Sequence, residues 1–147
     1  MNQYKRTSLE GREAIKDREG EKLEAYQDGG GVWTIGVGHT RNVKKDDKIS
    51  YEQSDQFLMD DLHTAENAVN LFVHVPINQN MFDALVSLVF NIGVQAFRES
   101  TLVKLLNMGL YKDASEQFIR WNKDNGKVVD GLTRRRQLEA KQFLMPE

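Results

Sequence analysis

Two carboxylates nine positions apart, Glu19 and Asp28, are the residues of this 147-residue chain best suited to acid–base chemistry. Glu19 falls at the expected end of a helix, where the negative pole of the macrodipole favours the proton-bearing acid unless a cation answers it. Asp28 opens Asp28-Gly29-Gly30-Gly31, a turn in which solvent and backbone N–H groups support the ionised form. Hydrolysis of a glycosidic bond asks for two carboxyl groups in unlike environments: one protonates the leaving oxygen, and the other supports the attack or the charge building on the sugar. Thr34, in the strand returning from the turn, brings a hydroxyl able to orient a water beside Asp28. Spacing alone leaves the plainer alternative open. Glu19 and Asp28 are two of 22 acidic residues, and a strand threonine is ordinarily only a good strand former.

The surrounding pattern must position these groups. Thr7-Ser8-Leu9-Glu10 has the form of a capping box, Leu9, Ala14 and Ile15 share a helical face, and Gly20 marks the stop, so a helix is expected to end near Glu19. Leu23–Gln27 and Val32–Val37, rich in β-branched and aromatic residues, flank the glycine turn as a small hairpin, with a further short strand expected over Lys44–Ile49. From Ser50 the period becomes helical: Ser50-Tyr51-Glu52-Gln53 is a second capping box, and Phe57, Leu58, Leu62, Ala65, Ala68, Val69 and Phe72 carry the stripe to Val73. Asn78 opens a helix, apolar on nearly all sides, that Gly93 ends; Ser100–Met108, Tyr111–Trp121 and Thr133–Leu144 are expected as further helices.

This order predicts an α+β class: a small antiparallel β-hairpin lobe over 19–60, a long helix over 50–73 joining it to a mainly α-helical lobe formed by 74–147 with 1–18, all within one domain of 1–147. A cleft between sheet and helices is the natural place for a ligand.

Composition narrows the chemistry. With no cysteine there is no disulfide framework, thiolate metal site or thiol nucleophile. Twenty basic residues nearly balance the acidic ones, and the net charge of -2 excludes a polyanion-coating protein, although Arg98–Glu147 holds ten basic and seven acidic residues. Met1–Arg18 lacks the apolar stretch of a secretion signal, and the longest apolar-rich run, Met81–Ile92, is too short to span a bilayer, so the chain is expected to begin in the cytosol with no membrane segment. Gly36-Val37-Gly38 fails as a dinucleotide fingerprint because Arg41 stands where a third glycine belongs. His39, His63 and His74 form no zinc-binding pair, so no metal and no cofactor are expected. Arg134-Arg135-Arg136 could touch phosphates, but such a run at a helix start more often supplies surface charges or salt-bridge partners, and no nucleic-acid partner is expected.

Taken together, Glu19-Gly20, Ala25-Tyr26-Gln27-Asp28 and Thr34-Ile35-Gly36-Val37-Gly38-His39-Thr40 resemble the tailed-phage lysozymes, the endolysins of glycoside hydrolase family 24. Pro76-Ile77-Asn78-Gln79-Asn80, Phe82-Asp83-Ala84-Leu85, Phe90-Asn91-Ile92-Gly93 and Gly131-Leu132-Thr133-Arg134-Arg135-Arg136 extend the resemblance over nearly the whole chain. It implies a lysozyme-like fold and a muramidase that cuts the β-1,4 bond between N-acetylmuramic acid and N-acetylglucosamine in peptidoglycan. Glu19 would be the proton donor, Asp28 the base or charge stabiliser, and Thr34 a holder of the attacking water, as in inverting members. Inversion sets an expected Glu19–Asp28 carboxyl separation of roughly 6.5 to 9.5 Å. The resemblance also makes Phe90 and Asn91 cleft-lining residues, gives His39 a place beside the substrate with a mainly structural role, and brings one of Arg134–Arg136 to face Glu19. It implies a monomer acting on glycan strands and held in the host cytoplasm until release to the wall. Arg18 departs from the aromatic residue that often precedes the family's acid. Two rivals stay open, a wall-binding module without turnover and a lytic transglycosylase, which needs a Glu but no partner Asp.

Overall fold

A computed structural model describes residues 4–147; the first three residues of the 1–18 stretch assigned to the helical lobe lie outside the described residues. The chain runs α1 (Leu9–Glu19), β1 (Lys22–Gln27), β2 (Trp33–Gly36), α2 (Tyr51–Phe72), α3 (Gln79–Ile92), α4 (Val94–Arg98), α5 (Thr101–Asn107), α6 (Tyr111–Ser115), a 3₁₀ turn (Phe118–Trp121), β3 (Lys123–Asp124), β4 (Lys127–Val128) and α7 (Asp130–Phe143). It is the mixed class expected, helices with a small antiparallel hairpin sheet. Two compact units divide it: Arg12–His63, and the described part of Met1–Gly11 together with Thr64–Glu147. The boundaries fall inside α1 and inside α2.

In the Arg12–His63 unit, β1 and β2 pair antiparallel with Tyr26 opposite Thr34 and Gln27 opposite Trp33, and the register slips between Tyr26 and Lys22, which faces Gly36. Strand β2 ends earlier than the expected Val37. Ile35 and His39 exchange backbone hydrogen bonds of 2.9 and 3.0 Å, folding Gly36-Val37-Gly38 into a tight turn. The expected strand Lys44–Ile49 is reduced to one bridge, Lys48 opposite Glu24. Asp47 takes the Lys44 N–H on its side chain at 2.8 Å, and Asp46 sits at φ 71, so the segment curls before it can pair further. The second capping box forms in both directions: Ser50 Oγ accepts from the Gln53 N–H at 3.1 Å, and Gln53 Oε1 accepts from the Ser50 N–H at 2.8 Å. Ile15, Ile35, Val37, Leu58 and Leu62 are the buried apolar side chains here.

In the other unit the cap of α1 is Ser8, not Thr7: Ser8 Oγ accepts from the Gly11 N–H at 3.0 Å. Thr7 is drawn away because buried Glu66 takes both its N–H at 2.8 Å and its hydroxyl at 2.6 Å. Helix α3 is capped by Asn78, whose Oδ1 accepts from the Met81 N–H at 2.8 Å, and Phe82–Val89 are all buried, the signature of a central helix. Each large apolar side chain so buried contributes about 1.5–3 kcal/mol. Helix α7 packs along α3, and the Phe118 and Phe143 rings meet at 5.6 Å. The expected helix Tyr111–Trp121 is broken, because Ser115 Oγ turns back to the Lys112 carbonyl at 2.6 Å and the chain tightens into the 3₁₀ turn. The Asn125-Gly126 turn closes a small hairpin, β3 with β4, both residues at positive φ as short hairpin turns require, and α7 begins at Asp130 rather than Thr133.

Candidate active site

Glu19 is the last residue of α1. Gly20 adopts φ 79 and its N–H donates to the Lys16 carbonyl at 2.7 Å, which stops the helix and turns the chain into β1. The Glu19 side chain is half-buried, and a Cβ added to Gly38 would stand 3.8 Å from Glu19 Oε2. The carboxyl therefore lies against the Gly36–Gly38 turn, at a residue whose φ of 69 favours glycine.

Asp28 sits at the exposed hairpin tip. Its Oδ1 accepts from the Gly30 N–H at 2.8 Å and the Val32 N–H at 2.9 Å, so two amide dipoles point at the carboxylate while Oδ2 is left for other partners. Thr34 is 3% exposed, and its hydroxyl donates to the Val32 carbonyl at 2.9 Å. With its proton committed, Thr34 Oγ1 can serve a water only as an acceptor. The three residues belong to one compact unit, each placed by a different local device: a helix stop, an Asx turn and a strand pairing.

His39, in the same unit, is buried; its Nδ1 lies 2.7 Å from Asp61 Oδ2 and its ring stacks on Phe57 with centroids 4.2 Å apart. That clamp is structural in character, and Asp61 and Phe57 stand on α2 one helical turn apart, a spacing that signals a shared face. Lys16 ion-pairs with Asp55 and lies near Glu21 and Glu13. Its hydrogen bond to Asp55 raises its pKa above the ordinary lysine value of 10.5, against the opposing effect of burial.

Phe90 and Asn91 belong to the other unit. Phe90 is half-buried; Asn91 is exposed, and its Oδ1 accepts from Arg136 Nη1 at 3.0 Å, which leaves the amide nitrogen to a ligand. Asn91 borders an open pocket of about 570 Å³ with Ile92, Trp121, Lys123, Asp124 and Leu132. Trp121, Lys123 and Asp124 escaped the sequence reading; Asn125-Gly126 flanked by short polar strands was the signal for the hairpin that carries two of them. In the arginine run Arg134 is exposed, whereas Arg135 and Arg136 are buried and bind Glu139 on their own helix, a partner that the three- and four-residue spacing could have revealed. Among the described residues no group of three His, Asp or Glu side chains is placed to hold a metal ion.

An α+β protein whose first helix delivers one carboxyl to a hairpin carrying a second has the makeup of a lysozyme-like glycosidase. The chain belongs to the phage lysozyme family, whose model matches residues 16–139. It is 47% identical over 133 residues to an endolysin of Acyrthosiphon pisum secondary endosymbiont phage 1, covering 88% of this chain and 91% of that one. It is 44% identical over 135 residues to the endolysin of Salmonella phage P22, covering 88% and 92%. Among solved structures, the muramidase domain of SpmX from Asticaccaulis excentricus matches with a TM-score of 0.90 and 39% identity, over 98% of this chain and all of that one. Among the described residues no helix is long and apolar enough to cross a membrane.

Proposed function

We infer that this protein is a lysozyme that hydrolyses peptidoglycan and lyses the bacterial cell wall, by cleaving the β-1,4 bond between N-acetylmuramic acid and N-acetylglucosamine. Kinship with endolysins and a muramidase domain supports the substrate and the enzyme class. The observation that carries the residue roles is the contrast between the two carboxyls. Glu19 is half-buried at a helix end against a glycine turn, and Asp28 is exposed with two amide N–H groups on one oxygen.

In the mechanism, Glu19 donates its proton to the leaving glycosidic oxygen as the bond to C1 breaks. Asp28, ionised, takes a proton from a water on the opposite face of the ring, or stabilises the oxocarbenium charge. Thr34 Oγ1 accepts a hydrogen bond from that water and so aims its lone pair at C1. A single displacement of this kind inverts the anomeric configuration. Asn91 and Phe90 serve as substrate-binding residues, while His39, clamped by Asp61, keeps the Gly36–Gly38 turn in place. The protein works as a monomer without cofactor or nucleic acid. It waits in the host cytoplasm and then acts on the wall.

The test is clearing of purified walls with mass analysis of the products. Glu19→Gln should lose clearing by about 10² to 10⁴, the usual worth of a general acid, while still sedimenting with walls. Unchanged clearing by the pure variant removes Glu19 from its role. Products with a new reducing end support hydrolysis, 1,6-anhydro products a transglycosylase, and sedimentation of the parent without clearing a binding module. Proton NMR of the first-formed anomer decides inversion, and a retained β-anomer refutes it.

A further inference from the structure

A knot of charge in the Arg12–His63 unit takes no part in that mechanism, yet it flanks the residue that does. Lys16 stands one turn before Glu19 on α1, and its side chain is 17% exposed. Its Nζ pairs with Asp55 Oδ1 and lies 3.9 Å from Glu21 Oε2 and 3.7 Å from Glu13 Oε1. Glu21 is gripped from a second side, because Ser54 Oγ donates to its Oε2 at 2.6 Å. Ser54 is fully buried, and a Cβ added to Gly36 would stand 3.0 Å from its hydroxyl oxygen, so the Gly36–Gly38 turn closes on that same serine.

These contacts form a bracket. Upstream of Glu19, Lys16 ties the last turn of α1 to Asp55; two residues downstream, Glu21 is tied to Ser54 and faces Lys16. The turn against which the Glu19 carboxyl lies is seated on Ser54 too. Both the backbone that carries the acid and the surface it rests on are thus fastened to Ser54–Asp55 in the first turns of α2.

We propose that Lys16, acting with Asp55, Glu21 and Ser54, is a positioning residue that fixes where the Glu19 carboxyl stands. The proposal rests on the reading of Glu19 as the acid. Stability alone does not call for such an arrangement, since an exposed ion pair is worth about 0–1 kcal/mol and a well-packed apolar side chain often serves as well as a buried one. What a three-sided charged hold supplies is direction. Proton transfer needs heavy atoms within hydrogen-bond reach, and displacement of a catalytic group by about 1 Å costs on the order of 10² in rate. The hydrogen bond to Asp55 keeps the Lys16 ammonium charged beyond the ordinary lysine range.

The test is steady-state hydrolysis of soluble peptidoglycan fragments by Lys16→Met, Lys16→Arg and a control, Arg6→Met. The control removes the 2.8 Å Arg6–Glu66 pair in the other unit. Lys16→Met should lower kcat by about 10- to 100-fold with KM nearly unchanged, and Lys16→Arg, which keeps the charge and the reach, should recover most of it. Arg6→Met should lower the melting temperature and leave kcat alone. An undiminished kcat in Lys16→Met, a loss confined to KM, or an equal fall of kcat in Arg6→Met overturns the proposal. If Lys16→Met does not fold, Asp55→Asn, which keeps the lysine and weakens only its acceptor, is read by the same split. Glu19→Gln separates the two claims: if it retains turnover, the acid is misassigned. If it is dead while Lys16→Met is unaffected, only the positioning role fails.

Discussion

Replacing Glu139 by Ala should be among the most damaging single changes in this lysozyme, and the structure sets the size. Glu139 is 0% exposed, as is Arg136. Its Oε1 lies 2.7 Å from Arg136 Nε, and its Oε2 accepts from Arg136 Nη2 at 3.1 Å, from Arg135 Nε at 3.4 Å and from Ser87 Oγ at 2.5 Å. One carboxylate thus answers two buried guanidinium groups and a hydroxyl where α7 packs on α3. Truncation to Ala leaves those cations with their desolvation cost and without this counter-charge, a loss of about 3–5 kcal/mol. For a chain of this size that is a drop in melting temperature on the order of 10 °C. Thermal melts and urea titrations at neutral pH measure it. A decisive companion is the double variant Glu139→Leu with Arg136→Met, which leaves only Arg135 without this counter-charge and should be less destabilised than Glu139→Ala. If Glu139→Ala costs less than about 1 kcal/mol, or the double variant is the worse of the two, then buried charge is not what this contact turns on.

Asp83 makes a second stability test, because burial raises its pKa above the ordinary value of 3.8 despite hydrogen bonds from Ser8 and Gln79. The folded chain therefore keeps this proton to higher pH than the unfolded chain, and Asp83 contributes stability below the ordinary carboxylate range that is lost as pH rises through its raised pKa. The stability of the parent relative to Asp83→Asn, followed by urea unfolding, should fall as pH rises from that range; a rise would contradict the assignment. Asn78→Ala should cost about 0.5–2 kcal/mol by removing the cap of α3, with no change in kcat on wall fragments. A neutral effect on the urea midpoint would mean that water replaces the cap.

The features legible in the sequence are those whose partners lie a few residues away. The Ser50–Gln53 box forms as written, Asn78 caps α3, and Gly20 stops α1 at Glu19, because each is a hydrogen bond or a positive φ inside one turn of chain. Met81, Phe82, Leu85, Val86, Leu88, Val89 and Ile92 cover almost the whole circumference and so predicted a central helix, and Phe82–Val89 are all buried. The same locality made Glu19, Asp28 and Thr34 nameable as candidates and put them at a helix end, a glycine turn and a strand.

Where tertiary partners compete with local ones, spacing could not choose. The Thr7–Glu10 spacing points to Thr7 as the cap; Glu66, 59 residues away, takes Thr7 and leaves Ser8 to the helix. The same competition decides which charges are buried. Arg134-Arg135-Arg136 reads as surface charges or salt-bridge partners without saying which is which, yet only Arg135 and Arg136 turn inward, because Glu139 and Ser87 wait where α7 meets α3. The bracket around Lys16 lies further still beyond the sequence, since it joins residues of α1, β1's approach and α2 that share no periodicity. Local chemistry wrote the helices, the turns and the candidate acid; which charges are buried was decided only when distant segments excluded water together.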